Sequence, residues 1–526
     1  MHRTKKKEKV LSFRAVVGYN KTDDVNAHKG ENTLKLGFDN EKYLELQAQH
    51  IRERVAQFGG KLYLEFGGKL FDDYHASRVL PGFQPDSKLR MLESMKDDVE
   101  IVMAICAADI EKSKKRGDLG ISYDEEVLRL TDIFRGMGFY VGSVVITQYA
   151  GQPSADAFIK RLGALGVQCC RHYPIAGYPS DVTHIVSDEG LGKNDYIETT
   201  RPVVVITAPG PGSGKMATCL SQLYHDHKRG IRAGYAKYET FPIWNLPLKH
   251  PVNLAYEAAT ADLNDVNMID PFHLDAYGET TVNYNRDVEI FPVLNAMFQK
   301  IQGCSPYKSP TDMGVNMAGF AIVDDAVCQE ASRMEILRRY YTAQTQKLRG
   351  ECDESLVIKL ELVMRQAGVT PDICPAVGAA LQRAEQSGGP AGAIVLPDGS
   401  VVTGKTSPLL GASAALLLNA LKAMAGIAQK LELIPASVIE PISRLKTENL
   451  GHRNPRLHSD EVLIALAISG LTNPLAAMVQ QQLTRLRGCE AHFSVIISAE
   501  DIKLYQRLGI HVSCEPKYEV KKLYHR

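Results

Sequence analysis

Residues 201–229 constrain this chain more than any other stretch. They read Arg-Pro-Val-Val-Val-Ile-Thr-Ala, then Pro-Gly-Pro-Gly-Ser-Gly-Lys-Met, then Ala-Thr-Cys-Leu-Ser-Gln-Leu-Tyr-His-Asp-His-Lys-Arg. The first part is a β-branched apolar run bounded by proline, the pattern of a strand buried in a parallel sheet. The last part places Met216, Cys219, Leu220 and Leu223 at helical spacing. Between them lies a glycine-rich turn that ends in a lysine. Strand, glycine loop, lysine and helix together predict a phosphate-binding loop. Gly210, Gly212, Ser213 and Gly214 let backbone N–H groups close around an anion. The helix N-terminus adds partial positive charge, and Lys215 neutralises phosphate oxygens.

The stretch departs from G-x-x-x-x-G-K-[ST] at two places. Pro209 stands where the first glycine belongs, and Met216 where the Mg²⁺-binding hydroxyl belongs. Ser213 and Thr218 are the hydroxyls left to hold a metal. The plain alternative is a tight strand-to-helix turn with an exposed lysine. A literal match, Gly399 to Thr406, lies elsewhere. Its interior is a β-branched arm leaving the turn Pro397-Asp398-Gly399, so it predicts a β-hairpin that cannot wrap a phosphate.

Strand and helix signals alternate through the first 324 residues. Strands are expected at 61–66, 99–106, 143–147, 167–171, 202–208 and 231–238, and helices at 40–58, 123–137, 155–165, 250–262 and 287–301. Alternation of this kind predicts an α/β fold, a mostly parallel sheet with helices on both faces. Residues 303–316 read as a polar loop. The expected organisation is a flexible lead-in at 1–35, an α/β phosphate-loop-like domain at 36–324, a helical connector at 325–348, and a smaller helix-rich α/β domain at 349–526.

Charge excludes one class of partner as the main one. Sixty-one Lys and Arg balance sixty-one Asp and Glu, so no global field favours nucleic acid or an acidic membrane. The most apolar segment, 411–428, contains Asn419 and Lys422 and reads as a buried helix rather than a membrane span. No secretory signal is read at the N-terminus, and the ten cysteines form no C-x-x-C pair. Reduced thiols in the cytoplasm are the expectation.

In an open parallel sheet, ligands bind outside the carboxyl ends of the strands. Lys69, Arg78, Lys215 and Lys237 each follow an expected strand, so they are expected to share one edge and form a cationic clamp. Asp270, just after Met268-Ile269, is the leading candidate to hold Mg²⁺; surface charge or helix capping is its other reading. The His225–His227 pair falls on different helix faces and reads as a solvated helix end. Neither H-E-x-x-H nor G-x-S-x-G occurs.

Four segments resemble one bacterial family: Tyr-Leu-Glu-Phe-Gly-Gly-Lys at 63–69, Tyr-Ala-Lys-Tyr-Glu-Thr-Phe-Pro-Ile-Trp-Asn-Leu-Pro at 235–247, Lys-Ser-Pro-Thr-Asp-Met-Gly at 308–314 and Leu-Arg-Gly-Cys-Glu-Ala-His at 486–492. The family is Domain of Unknown Function 1846, and the resemblance covers nearly everything after residue 35. It implies a cytosolic α/β protein with a separate C-terminal domain. Some members carry the label ATP-dependent peptidase, but the resemblance brings no mechanism with it, and the protease motifs are missing here.

The leading expectation is therefore a phosphate-dependent enzyme, a phosphotransferase or NTP hydrolase. It would take ATP, another nucleotide with Mg²⁺, or a phosphorylated small molecule at Gly210 to Lys215, with Thr218 and Lys237 in support. The rival is a non-catalytic anion-binding, metabolite-binding or scaffold protein that uses the same loop. A peptidase-like hydrolase is third. A homo-oligomer is compatible with the sequence, which does not set the copy number.

Overall fold

The computed structural model describes residues 36–519, apart from 68, 69, 72 and 117–119. Seven strands of the first half form one sheet. They are β1 (Leu62–Phe66), β2 (Val99–Cys106), β3 (Tyr140–Thr147), β4 (Gln168–Arg171), β5 (Val203–Thr207), β6 (Gly234–Tyr238) and, after a small antiparallel pair β7 (Asn267–Ile269) and β8 (Val282–Tyr284), β9 (Gly314–Val315). The order is β4-β3-β2-β5-β1-β6-β9, and every neighbouring pair is parallel.

Burial explains the composition of the central strands. Every residue of β1 and β5 is buried, because helices cover both faces. The helix Lys215–Lys228 packs on β1, β5 and β6. The helix Tyr123–Gly136, opened by a capping box between Ser122 and Glu125, packs on β2 and β3. The expected alternation is present, and the α/β architecture follows from it.

Two local expectations differ from what forms. Residues 303–316 are not simply a loop: they hold the short helix Pro310–Met313 and then β9, which extends the sheet edge against β6. Two residues are too short to leave a periodic signal. The long apolar helix is confined to Ala412–Met424, flanked by turns.

The second half is built on a four-stranded mixed sheet of β10 (Ala391–Val395), β11 (Val401–Lys405), β12 (Glu490–Phe493) and β13 (His511–Cys514), in the order β11-β10-β12-β13. β10 and β11 form the expected antiparallel hairpin. Gly404 lies so close to the helix Ala412–Met424 that a Cβ there would sit 2.3 Å from the Leu416 backbone nitrogen. The literal G-x-x-x-x-G-K-T is thus a strand packed on a helix, with no loop to cradle an anion.

The 25-residue helix Asp325–Arg349 is packed along its length rather than free. It buries Cys328, Ile336, Leu337 and Tyr341 in a core shared with Val357 and Leu360 on one side and Phe241 and Val252 on the other. It also carries an ion network. Glu335, 2% exposed, receives Arg78 Nε at 2.9 Å, Arg338 Nη2 at 2.8 Å and Arg339 Nε at 3.0 Å. Arg338 Nη1 continues to Glu490 Oε1 at 2.5 Å, and His511 Nδ1 meets the same oxygen at 2.8 Å. Burial alone would raise the Glu335 carboxyl. The surrounding Arg338, His75, Arg78 and Arg339 override it and hold it well below the usual range.

Candidate functional site

The topology singles out one crevice. From β2 the chain moves outward through β3 to β4. It returns to β5, between β2 and β1, and from there crosses β1 to β6. Connections therefore leave β2 and β5 in opposite directions, and the carboxyl ends of these neighbours form a topological switch point, where open α/β sheets bind ligands. The segment that leaves β5 there is the glycine loop.

Its neighbours fix the loop. Gly210 lies against the helix Tyr123–Gly136: a Cβ on it would sit 2.2 Å from the Tyr123 hydroxyl oxygen. Gly214 is the N-cap of the helix Lys215–Lys228 with φ of 83°, and its Cβ position lies 3.0 Å from the Thr147 methyl. Only glycine meets both demands at once, a left-handed φ and no room for a side chain. Thr147, the last residue of β3, donates its hydroxyl to the Ser213 carbonyl at 2.8 Å. Ser213 donates to the Gly210 carbonyl at 2.8 Å, and Thr218 to the Gly214 carbonyl at 3.0 Å. Gln148, directly after Thr147, has φ of 54°, a conformation rare for a residue with a side chain.

Three loop carbonyls, of Gly210, Ser213 and Gly214, are thus engaged. Among the described residues, the N–H groups of Gly210, Gly212, Gly214, Lys215, Met216 and Ala217 have no protein acceptor, while the buried Ser213 N–H faces the Gly210 carbonyl across the turn. Four of these, at 214–217, are the orphan donors of any helix start. The other two come from the loop itself. Pro209 and Pro211 contribute no N–H. Lys215 is half-buried and makes no hydrogen bond or ion pair among the described residues. Met216 packs against the main core. The two candidate metal hydroxyls, Ser213 and Thr218, are both 0% exposed and turned into the loop backbone.

Behind the loop, the cavity beside Gly214 and Ala217 is about 30 Å³, lined by Thr147, Gln148, His172 and Tyr178. That is room for one water. Burial pushes His172 down to about 4, so its ring is neutral. A larger open hollow of about 460 Å³ lies along Phe272, Asp275, Asn295, Gln299, Tyr307 and Lys308 and includes no residue of the glycine loop.

The other expected site residues are placed as follows. Lys69 lies outside the described residues. Lys237 stands on β6 at the carboxyl edge, in register with Glu65 on β1. Both lie on the face covered by the helix Lys215–Lys228, since Tyr63, two residues before Glu65, donates to Asp226 of that helix at 2.6 Å. Lys237 is not free, however. Its ammonium contacts Glu239 Oε1 at 2.9 Å and also holds Asp287 and the Tyr284 hydroxyl. Burial lowers its affinity for the proton, but Asp287 and Glu239 more than reverse that. Glu239 is raised to about 7, by burial first and by Asp287 against the pull of Lys237. Arg78 faces Glu335 in the ion network instead of the loop. Asp270 caps the helix Pro271–Tyr277 from the end of β7, accepting from the backbone of Phe272, His273 and Thr311 and from the Thr311 hydroxyl at 2.7 Å. The structure thus brings Lys215 and Lys237 to one edge and face, and gives Lys237, Arg78 and Asp270 other partners.

Glu65 lies between Lys237 and the loop helix, where it acts on Cys219. It accepts from Tyr235 at 2.8 Å, and its charge reaches Lys237. The Cys219 thiol, one turn into the loop helix, is raised by burial and then by Glu65, and lowered by Lys215. Sequence reading missed Glu65, Thr147 and Tyr123. The first two were signalled only by being polar at the ends of apolar strands, and Tyr123 by nothing local.

Comparison with known proteins covers nearly the whole chain. Family models described as Domain of unknown function DUF1846, N-terminal and C-terminal, match residues 36–368 and 372–524. Proteins called UPF0371 protein from Streptococcus pneumoniae strain JJA and from serotype 19F strain G54 are each 58% identical over 492 residues, which is 94% of this chain and 100% of theirs.

Proposed function

Because the chain belongs to the DUF1846 family, whose description names no activity, we propose a function from the site alone: the protein binds the phosphoryl group of a nucleotide or phosphorylated small molecule at Gly210 to Lys215. One observation carries this reading. At the switch point of the sheet, backbone N–H groups without acceptors among the described residues lie beside a lysine that has no counter-ion among them. Oriented donors, a helix start and an ammonium group are together what a phosphate needs.

The loop holds the anion through backbone and charge. Ser213 and Thr218 are occupied, and Met216 packs against the core. This favours a binding role in which Mg²⁺ is not held by a loop hydroxyl. Phosphoryl transfer or NTP hydrolysis is the second reading, supported by the neighbouring buried acid–base cluster of Glu65, Lys237, Glu239 and Asp287 at the same edge. Strand spacing of about 4.8 Å puts the ends of β5 and β6 about 10 Å apart, within the length of a phosphorylated small molecule.

Calorimetric titration with ATP, ADP and inorganic phosphate, each with and without Mg²⁺, tests the reading. Binding of at least one of them, lost in Lys215→Ala, is expected. Binding unaffected by that substitution would overturn it, and Mg²⁺-dependent release of phosphate would promote the catalytic reading.

A further inference from the structure

The second half of the chain carries an apolar surface that its own core does not use. The helix Ser459–Ser469 buries Val462, Ala465 and Leu466, and the helix Pro474–Gln480 buries Ala476 and Val479. Their opposite faces are also apolar. Ile464 is 59% exposed, Ile468 48%, Leu471 84%, Leu475 40% and Met478 37%. On the first helix Ile464 and Ile468 are four apart, and on the second Leu475 and Met478 are three apart, so each pair lies on one face. Leu471 sits in the turn between the helices. Gly470 lies against Ala477, with an added Cβ 3.4 Å from the Ala477 Cα, so the helices abut at that turn.

From Val462 onward this helix is apolar all round, a pattern that belongs in an interior, yet among the described residues it is covered on one side only. No Lys, Arg, Asp or Glu occurs from Val462 to Thr484, and the exposed Asp460 stands at the rim, one turn before Ile464.

We propose that this surface is a two-fold interface with a second copy of the chain. The five side chains expose about 500 Å² per copy, so a pair would bury about 1,000 Å², the lower limit for a specific interface. Such an area lies near the upper end of what monomers leave bare. A two-fold axis through the patch lets each copy present the same uncharged face, and Ile, Leu and Met interdigitate between helices without any polar group to satisfy. The chain beyond Glu519, Val-Lys-Lys-Leu-Tyr-His-Arg, would set three Lys and Arg charges over an uncharged face, which makes it a poor cover. The inference is independent of any ligand at the glycine loop.

Sedimentation equilibrium of the full chain tests it. A monomer–dimer equilibrium is expected below about 100 µM, a range that reveals even a weak interface. Leu471→Glu and Ile468→Glu together should raise the dissociation constant at least about 100-fold, the scale of losing hot-spot contacts. Leu471→Glu alone, at the most exposed position, guards against a folding defect and should move the constant in the same direction with an unchanged melting temperature. Ile358→Glu, on the helix Glu354–Ala367 and about as exposed as Ile468, should leave it unchanged. A chain that stays monomeric throughout, or a dimer that Ile358→Glu disrupts and the Leu471 variants do not, would overturn the proposal.

Discussion

Thr147 at the end of β3 donates its hydroxyl to the carbonyl of Ser213, 2.8 Å away and 66 residues later in the chain. The bond ties the turn to the end of the neighbouring strand, so the shape of the loop from Gly210 to Lys215 is held in place from outside the loop. Thr147→Val should keep the β-branched shape, remove the donor and weaken phosphate-ligand binding by about 5- to 30-fold, the scale of about 1–2 kcal/mol for a buried hydrogen bond. Titration alongside urea melts separates loss of the loop from loss of the fold.

The two lysines of the two G-K sequences should behave differently. Lys215 opens a helix beside unpartnered donors, whereas Lys405 is an exposed residue at the end of a hairpin strand. Lys215→Ala should weaken binding by about 10- to 1,000-fold, a charge-assisted contact of about 1.5–3 kcal/mol or somewhat more. Lys405→Ala should change it by no more than a few-fold. Equal loss in both would mean that the two halves build one site.

Gly210 offers a rescue experiment. Alanine there drives a Cβ into Tyr123, so the loop must move and ligand affinity should fall by at least about 10-fold, with about 1–3 kcal/mol of overpacking. Adding Tyr123→Ala opens the space and should recover most of the affinity. No recovery would mean that the close approach to Tyr123 does not set the loop's shape.

Glu239 predicts a pH dependence with a definite sign. Its carboxyl is raised from 4.5 to about 7, so the folded chain keeps a proton that the unfolded chain gives up. Stability from this group is present below about pH 4.5, is lost as pH rises to about 7, and is flat above that. Urea midpoints for the native chain and Glu239→Gln should therefore diverge across that window, the variant losing the downward slope. The difference should be on the order of 1–3 kcal/mol. Parallel pH profiles would remove Glu239 as the titrating group.

Glu335 is a costly charge to delete, because three arginines converge on it. Glu335→Ala would leave Arg78, Arg338 and Arg339, all partly buried, facing one another and should destabilise by about 3–5 kcal/mol. Arg78→Ala, at a partly exposed member, should cost about 1 kcal/mol or less. Chemical denaturation of both variants checks the ratio.

What could be read from the sequence was local. The strand Val203–Thr207, the turn and the helix from Lys215 each carry their own periodicity or glycine signal, and the hairpin of β10 and β11 carries its Pro-Asp-Gly turn. The alternation gave the sheet, and a shared edge followed for Lys215 and Lys237. What each charged group does there was not local. Lys237 meets Asp287 from 50 residues away, and Arg78 meets Glu335 from 257 away. Such pairings depend on strand order and helix docking, on which spacing along the chain is silent. Asp270 shows the same limit: an acid after two apolar residues fits a strand-end ligand and a helix cap equally well, and its hydrogen bonds are those of a cap.

The two prolines that flank Gly210 have a consequence for affinity as well as for shape. Each fixes one backbone torsion, so the turn samples few conformations before any ligand arrives. A glycine-only loop would surrender that freedom on binding, at about 1–2 kcal/mol per residue ordered. Here much of the loss is taken when the chain folds, and the remaining N–H groups at 210, 212 and 214–217 would meet the proposed anion already aligned. The loop gives up two donors and gains rigidity, so its binding should be governed more by enthalpy than by the ordering of the loop.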